Sequence, residues 1–512
     1  MSMSKSLSKI FSSPYLLIVI TVIIKIPLFF TKHIQEDSFI TWRVARNLLD
    51  YGVIGFNGEE RISASTTHFY VIISALFQLV FGDAFIGSVL IFSCVLFAIG
   101  SWWLGKILFR KDMLKRGFFV IFLNMVPPAL AASCLGMEYG ILFFLYSALI
   151  YFGVYKRKNW ACIVFPVLLL WARIDAVIFL GVFFLTDLII RKKINYIFVL
   201  GGILGVVSVV LFNEFYFGEL VNHTITAKKI AYKNLTQNNS IEFLLYQWAY
   251  YGGLIKKYSL FTFLVFSGFL IFLGFCVAGI IKDQTRISSK TKTILLSMLV
   301  FALLKITVFA FFKAYFDWYY WLPRVFLFAV FLYWLLHYIP LRKQILIPVI
   351  FMVFSGMYAF QMLQSYAIGY MEETQRMQIV RDIGYGKTDL SKSILLEPAG
   401  KIPFYTGLYT YDEVGLVNKK ITDEMLKDEN FWWMNSVRDF KPDYILTIIY
   451  QPGDPKSYYK MKPEDRMYFD ANYRFVKNYP IAEIHQNAPE ILRRIYAIRP
   501  IGKDYYLYRK VK

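Results

Sequence analysis

The chain has 512 residues, is 57% hydrophobic and 19% aromatic, and carries a formal net charge of +21. With a mean hydropathy of +0.48, it lies outside the soluble globular range and suits repeated apolar spans of about 20 residues. The basic excess does not indicate nucleic acid as a partner, because it falls in short clusters between apolar segments: RKDMLKR (110–116), KRK (156–158), RKK (191–193), KDQTRISSKTK (282–292) and LRK (341–343). This is the positive-inside pattern of a polytopic protein in a lipid bilayer.

In chain order, the first span covers about 14–30 and lacks a small-residue cleavage pattern, so it reads as retained. Lys5 and Lys9 orient it outward. A long external loop, 31–83, follows. Within it, residues 38–50 read as a helix. Ile40, Val44 and Leu48 form one stripe, with Arg43, Arg46, Asn47 and Asp50 on the other side. Such a helix is expected to lie in the interface with its apolar face in lipid, holding Glu36 and Asp37 at its N-terminus. SASTTHF (63–69) supplies clustered hydroxyls that either cap the next helix or bind a sugar or phosphate. HFYVIISALFQLVFG (68–82) is short for a crossing. Placing it as a re-entrant or surface-lying helix keeps every basic cluster on one side.

The remaining expected spans are 84–108, 117–135, 138–155, 159–172, 175–190, 194–212, 258–281, 294–312, 323–340 and 344–367. The expected fold is therefore an α-helical polytopic membrane protein with about 11 transmembrane helices. Its two domains are a membrane module, 1–368, and a small extracytoplasmic α/β domain, 369–512. In the latter, SILLEPAGKIPFYTG reads as a strand and turn, and ITDEMLKDENFWWMNSVRDF as a helix with Thr422 as N-cap. PDYILTIIY and DYYLYRKV read as strands. Cys94, Cys134, Cys162 and Cys276 all sit in apolar segments, which argues against a disulfide framework or thiolate zinc. Five histidines show no HxxxH or HExxH spacing; His33 or His68 near the Glu36–Asp37 pair, or an oxygen-ligated divalent metal ion, remains open.

The unusual polar residues gather on the external side: Glu36, Asp37, Arg43, Arg46, Arg61, Glu138, Arg173, Asp175, His223, Lys228, Lys229, Lys313, Asp317 and Arg324. Coming from five loops, they are expected to share one cavity at the outer rim. Arg173 and Asp175 have the alternative of pairing with each other, and Trp318, Tyr319, Tyr320 and Trp321 of acting as an interfacial aromatic belt. Lys25 and Lys305 are mid-span exceptions, snorkelling or paired.

The motifs resemble those of GT-C membrane glycosyltransferases of the mycobacterial terminal arabinofuranosyltransferase family. EDSFITWRVARN is similar to DDAFI-x-x-R-x-x-RN, SASTTHFY to AST-S-PLW, GMEYGILFF to GLE-T-PLF, and WARIDAVIF to RPD-type turns. FYFGELVNHTITAKK is similar to YYG-x-L-x-PNT-x-x-AK, LPRVF to PRY, and EPAGKIPFYTG with YDEVGLVN to a signature ending in D-x-x-GL. The departures are Glu36 for the first Asp, Asn222 and His223 at PNT, and Val325 for the Tyr of PRY.

The resemblance implies an inverting transferase of the cell envelope. It would move a sugar, hexosyl or pentosyl, from a polyprenyl-phosphate-linked donor to a glycan or lipid-linked acceptor outside a bacterial inner membrane. The chemistry of the residues agrees. Asp37 or Glu36 takes the acceptor proton, Asp37 being preferred. Arg324, Lys228, Arg173 and His223 meet the donor phosphate. Arg43, Thr66, Thr67, His68, Glu138, Asp175, Asp317 and Tyr320 are the expected substrate contacts. The alternatives are a lipid or solute transporter, whose signature is mid-span charge and broken helices in paired halves, and a polysaccharide polymerase or ligase.

Overall fold

The computed structural model describes residues 11–232, 288–312, 316–338, 346–384, 389–448 and 461–511, with scattered positions between them. The chain divides into two compact units. One comprises Met1–Pro27, Val89–Val209 and Thr236–Gln361, and the other Leu28–Ser88, Val210–Leu235 and Met362–Lys512.

Among the described residues, five helices are long and apolar enough to cross a membrane: His68–Leu108, Tyr196–Phe217, Ser289–Phe311, Asp317–Tyr338 and Ile347–Ile383. The count becomes six if the pair Met113–Met125 and Pro127–Cys134 forms one span bent by 71°. That bend has a local cause. Val126 is extended ahead of Pro127 and Pro128, which supply no backbone donors and disfavour a helical residue before them. Pro14–Phe29, Tyr139–Tyr155 and Ala161–Ala172 are shorter apolar helices. The span expected at 258–281 and the expected site residue Lys313 lie outside the described residues. The 15-residue segment expected not to cross forms the helix His68–Phe81, and the turn Gly82–Ala84 leads straight into Phe85–Leu108.

The first unit packs on aromatic stacks, with Phe97 on Phe143 at 4.1 Å and Tyr146 on Phe179 at 3.9 Å between ring centres. Lys25 is buried with its ammonium 4.3 Å from the centre of the Phe97 ring. Cys94, Cys134 and Cys162 are buried and unbridged, and Cys276 lies outside the described residues.

The second unit holds one mixed sheet built, among the described residues, from β1 (Ser393–Leu396), β2 (Tyr409–Asp412), β3 (Tyr444–Thr447), β4 (Tyr473–Tyr479) and β5 (Tyr505–Lys510). Their spatial order is β2-β1-β3-β5-β4. β1 pairs in parallel with β2 and β3, while β5 runs antiparallel to β3 and β4. β1, β3 and β5 coincide with the strand-like segments of the sequence. Two expectations need correction. The helical segment after residue 418 breaks into Lys419–Lys427 and Trp432–Phe440. Its cap is Asn418, which accepts from the Lys420 N–H at 3.0 Å, while Thr422 lies one turn inside.

The helix Glu36–Tyr51 also differs from expectation in what its apolar stripe meets. Ile40, Val44 and Ala45 are buried with Val71, Ala75, Ala227, Ala399, Val414, Leu416 and Val417, and Leu48 packs against them. Protein rather than lipid covers the stripe, because residues 28–88 and 210–235 belong to the same unit as the sheet. Burying each large aliphatic side chain contributes on the order of 2 kcal/mol.

Candidate functional site

The two neighbouring acids of the opening motif have different surroundings. Glu36 is the first residue of the helix Glu36–Tyr51. One of its oxygens accepts the N–H groups of Gly400 at 3.0 Å and Lys401 at 2.8 Å, thereby capping the short helix Lys401–Thr406. The other oxygen meets the Arg376 guanidinium, which also pairs with Glu372 at 3.2 Å. Burial pushes the Glu36 carboxyl up, against the pull of Arg376. Nearby, Lys401 pairs with Glu373 at 2.8 Å. Buried His33 is held neutral, its pKa lowered to about 3 by burial, with Lys401 and Arg376 adding to the shift. Glu36 is therefore a fastener.

Asp37 faces another way. Its side chain is 26% exposed, and its carboxylate lies 3.7 Å from the ammonium of Lys228, itself 22% exposed. Lys228 belongs to the helix His223–Ala231, whose last turn is basic. At 3.7 Å the two groups form an ion pair without a close hydrogen bond.

The elements around the pair are fixed by polar contacts. His223 lies at hydrogen-bond distance, 2.9 Å, from the Gly415 carbonyl oxygen, and 3.4 Å from Glu219. Burial lowers its pKa. Gly415 sits at φ 75°, and a Cβ there would lie 2.5 Å from Thr422. Asp412 ties the same turn by accepting the Leu416 and Val417 N–H groups at 2.7 and 2.9 Å. Burial raises its pKa to about 6. The D-x-x-GL segment is thus a closed turn that docks the helix bearing Lys228.

Hydroxyls line up beside the helix Glu36–Tyr51. Thr41 is 3.2 Å from Ser65, and Ser65 is 2.8 Å from Thr67. Thr66 is half-buried on the same loop. His68 is buried, with Nε2 2.9 Å from Asn213 and 3.3 Å from Asn222. Asn222 donates to Ser63 at 2.7 Å.

Arg43 is spent on the fold. It stacks on Phe56 at 4.2 Å and donates to the carbonyls of Phe56, Pro403 and Leu408 at 3.1, 2.7 and 2.7 Å. Arg46 stacks on Phe404 at 4.0 Å and donates to its carbonyl at 3.1 Å. A small groove, with a cavity volume of about 30 Å³, is lined by Arg43, Arg46, Asp50, Tyr51 and Phe404.

In the first unit, Arg173 donates to Glu138 at 2.6 Å and to Asp175 at 3.0 Å, and Lys305 reaches Asp175 at 2.8 Å. The four charges cancel in a nearly dry setting, where breaking one pair is expensive. Arg324 pairs with Asp317 at 2.8 Å and lies 5.5 Å from the Tyr320 ring centre. Asp317 is 47% exposed, and it also accepts the Trp321 indole N–H at 3.0 Å.

The sequence-derived candidates therefore form two groups. Glu36, Asp37, Arg43, Thr66, Thr67, His68, His223 and Lys228 belong to the second unit. Glu138, Arg173, Asp175, Asp317, Tyr320 and Arg324 belong to the first. Arg376, Glu372 and Lys401 are the structural partners that the sequence reading does not name. The one available signal was the charge run beginning at Glu372 after a long uncharged stretch. Among the described residues, no three His, Cys, Asp or Glu side chains converge to hold a metal ion.

Residues 367–508 match a family model described as a domain of unknown function (DUF8728). No curated protein sequence matches the chain. Among solved structures, the chain is similar to a crystal structure of the Archaeoglobus fulgidus oligosaccharyltransferase complexed with Zn and sulfate. That match has 11% identity and a TM-score of 0.42, covering 96% of this chain and 88% of that one.

Proposed function

We propose that the chain is a multi-pass membrane glycosyltransferase of the GT-C type, working by inversion with a polyprenyl-phosphate-linked sugar as donor and an external glycan or lipid-linked acceptor. The observation that carries this reading is the part-exposed Asp37 carboxylate 3.7 Å from Lys228, beside a glutamate wholly committed to structure. At rest Asp37 is ion-paired with Lys228. The donor phosphodiester, itself an anion, shares the Lys228 ammonium with Asp37, which accepts a hydroxyl proton as the leaving phosphate gains charge. The acceptor oxygen then attacks the anomeric carbon as its proton passes to Asp37. The bond from that carbon to the phosphate oxygen breaks, and the lipid phosphate departs with the electron pair, its new charge met by Lys228.

In this reading Arg43, His223 and Glu36 act as positioning residues. Thr66, Thr67 and His68 belong to the wall lining the acceptor path. The quartet of Glu138, Arg173, Asp175 and Lys305 is structural. The active site and sheet domain lie on the extracytoplasmic side of a bacterial inner membrane. The ordered series of motifs similar to those of the arabinofuranosyltransferase family supports the donor class.

The test is direct. Detergent-purified protein receives a panel of polyprenyl-phosphate hexoses and pentoses with glycan acceptors, with and without chelator. Transfer from one lipid-linked sugar with inverted anomeric configuration is expected. Transfer from a nucleotide sugar instead, or retention of configuration, refutes the assignment. Loss on chelation would add a metal that the described residues alone do not cage.

A further inference from the structure

The helix Glu490–Ile498 buries Leu492 and Tyr496 with Ala367 and Met371, and the Tyr496 hydroxyl donates to the Ala367 carbonyl at 2.7 Å. Ala367 and Met371 belong to the helix Leu346–Ile383, which carries no charged residue before Glu372. This helix contains the candidate span Ile347–Ile383, whose most apolar window is only 17% buried. The packed residues thus occupy the last uncharged turns of a helix long and apolar enough to cross a membrane. Tyr366 and Tyr370 border the contact, and such aromatics collect at membrane–water boundaries.

The outer side of Glu490–Ile498 makes little sense in bulk water. Ile491 is 50% and Ile498 76% exposed, and between and after them stand exposed Arg493, Arg494, Arg499 and Lys503. Glu490, paired with Arg494, and Asp504 are the acids of this stretch. Apolar residues interleaved with cations beside the end of a span are what an interfacial helix needs to enter the headgroup layer.

We propose that Glu490–Ile498 and the turn through Lys503 dock on the bilayer surface, Ile491 and Ile498 entering the boundary between headgroups and acyl chains while Arg493, Arg494 and Arg499 bind anionic lipid phosphates. The inference rests on the chain spanning a bilayer and is independent of the transferase reading.

The full chain, with its four native cysteines replaced by serine, is reconstituted in nanodiscs of phosphatidylcholine alone or with one third phosphatidylglycerol. A polarity-sensitive fluorophore is attached at I498C or, as a reference, at L426C, a position 69% exposed on the helix Lys419–Lys427. The expected result is a blue shift and several-fold weaker quenching by aqueous iodide at position 498 than at 426. The protection should increase with phosphatidylglycerol and lose that increase in the triple variant Arg493→Glu, Arg494→Glu, Arg499→Glu. Quenching at 498 equal to that at 426 overturns the proposal, as does protection indifferent to the anionic lipid. Unchanged near-ultraviolet circular dichroism in the exposed-site variants confirms that the fold is not the variable.

Discussion

Replacing Gly400 with alanine drives a methyl group against the opening motif. The added Cβ would lie 2.3 Å from the backbone oxygen of Glu36 and 2.8 Å from its Cγ and Cδ atoms, well inside the usual 3.5–4.0 Å contact of carbon atoms (about that range). The oxygen belongs to the first helical residue, so it cannot rotate aside as a flexible side-chain end would. Overpacking costs about 1–3 kcal/mol. Separating the segments by about an ångström also stretches the bonds from the Gly400 and Lys401 N–H groups to the Glu36 carboxylate, now 3.0 and 2.8 Å. A hydrogen bond to a charged group contributes about 1.5–3 kcal/mol, so the substitution should cost about 3–5 kcal/mol in all. For a unit of this size that corresponds to an apparent Tm lowered by about 6–20 °C, read from tryptophan fluorescence in detergent. Gly356→Ala is the control, since a Cβ there meets nothing within 4 Å and alanine favours a helix by about 1 kcal/mol. A Gly400→Ala protein melting within about 2 °C of wild type refutes the packing described for the helix N-terminus.

Three further expectations follow from the same geometry. Arg43→Lys replaces a planar fork with a single ammonium and strands buried carbonyls of Phe56, Pro403 and Leu408. A loss of about 3 kcal/mol or more is expected in urea unfolding, and a change under about 1 kcal/mol would show that those bonds carry nothing. Glu138→Gln leaves the cluster of Arg173, Asp175 and Lys305 with an unbalanced positive charge in a buried setting. It should destabilise by about 3–5 kcal/mol, seen as a lower Tm at every salt concentration, while a salt-suppressible loss would contradict the burial. Asp412 concerns pH. Its carboxyl is raised from 3.8 to about 6, so the folded chain binds that proton more tightly than the unfolded one. Its favourable contribution is complete below the unfolded value and is lost as pH climbs through about 6. Relative to Asp412→Asn, wild type should therefore gain Tm as pH falls from neutrality toward 4 (about that value), and an opposite slope would refute the assignment.

Much of the architecture was readable because it follows from local pattern. Apolar runs mark helices such as Ser289–Phe311, and the β-branched and aromatic segments around Ile394, Ile445 and Leu507 mark the strands they form. β4 was harder to read. Its exposed Arg474, Phe475 and Val476 do not alternate with buried residues, and a bulge shifts the register between Phe475 and Lys477. The stripe of Ile40, Val44 and Leu48 gave the helix correctly, but periodicity does not say whether protein or lipid covers an apolar face. Partner identity is likewise invisible to local pattern. Glu36 meets Arg376, and Arg43 meets Pro403 and Leu408, across more than three hundred residues of chain. Position alone offers both adjacent acids as the base, with Asp37 preferred. Only the surroundings separate a capping Glu36 from a part-exposed Asp37 beside Lys228.

The central claim is that Asp37 takes the acceptor proton, and single-turnover transfer by Asp37→Asn measures it most directly. With the preferred lipid-linked sugar saturating, the chemical step should fall by about 100-fold or more, while Tm and donor affinity stay close to wild type. Transfer at the wild-type rate by a folded Asp37→Asn protein would contradict the account outright.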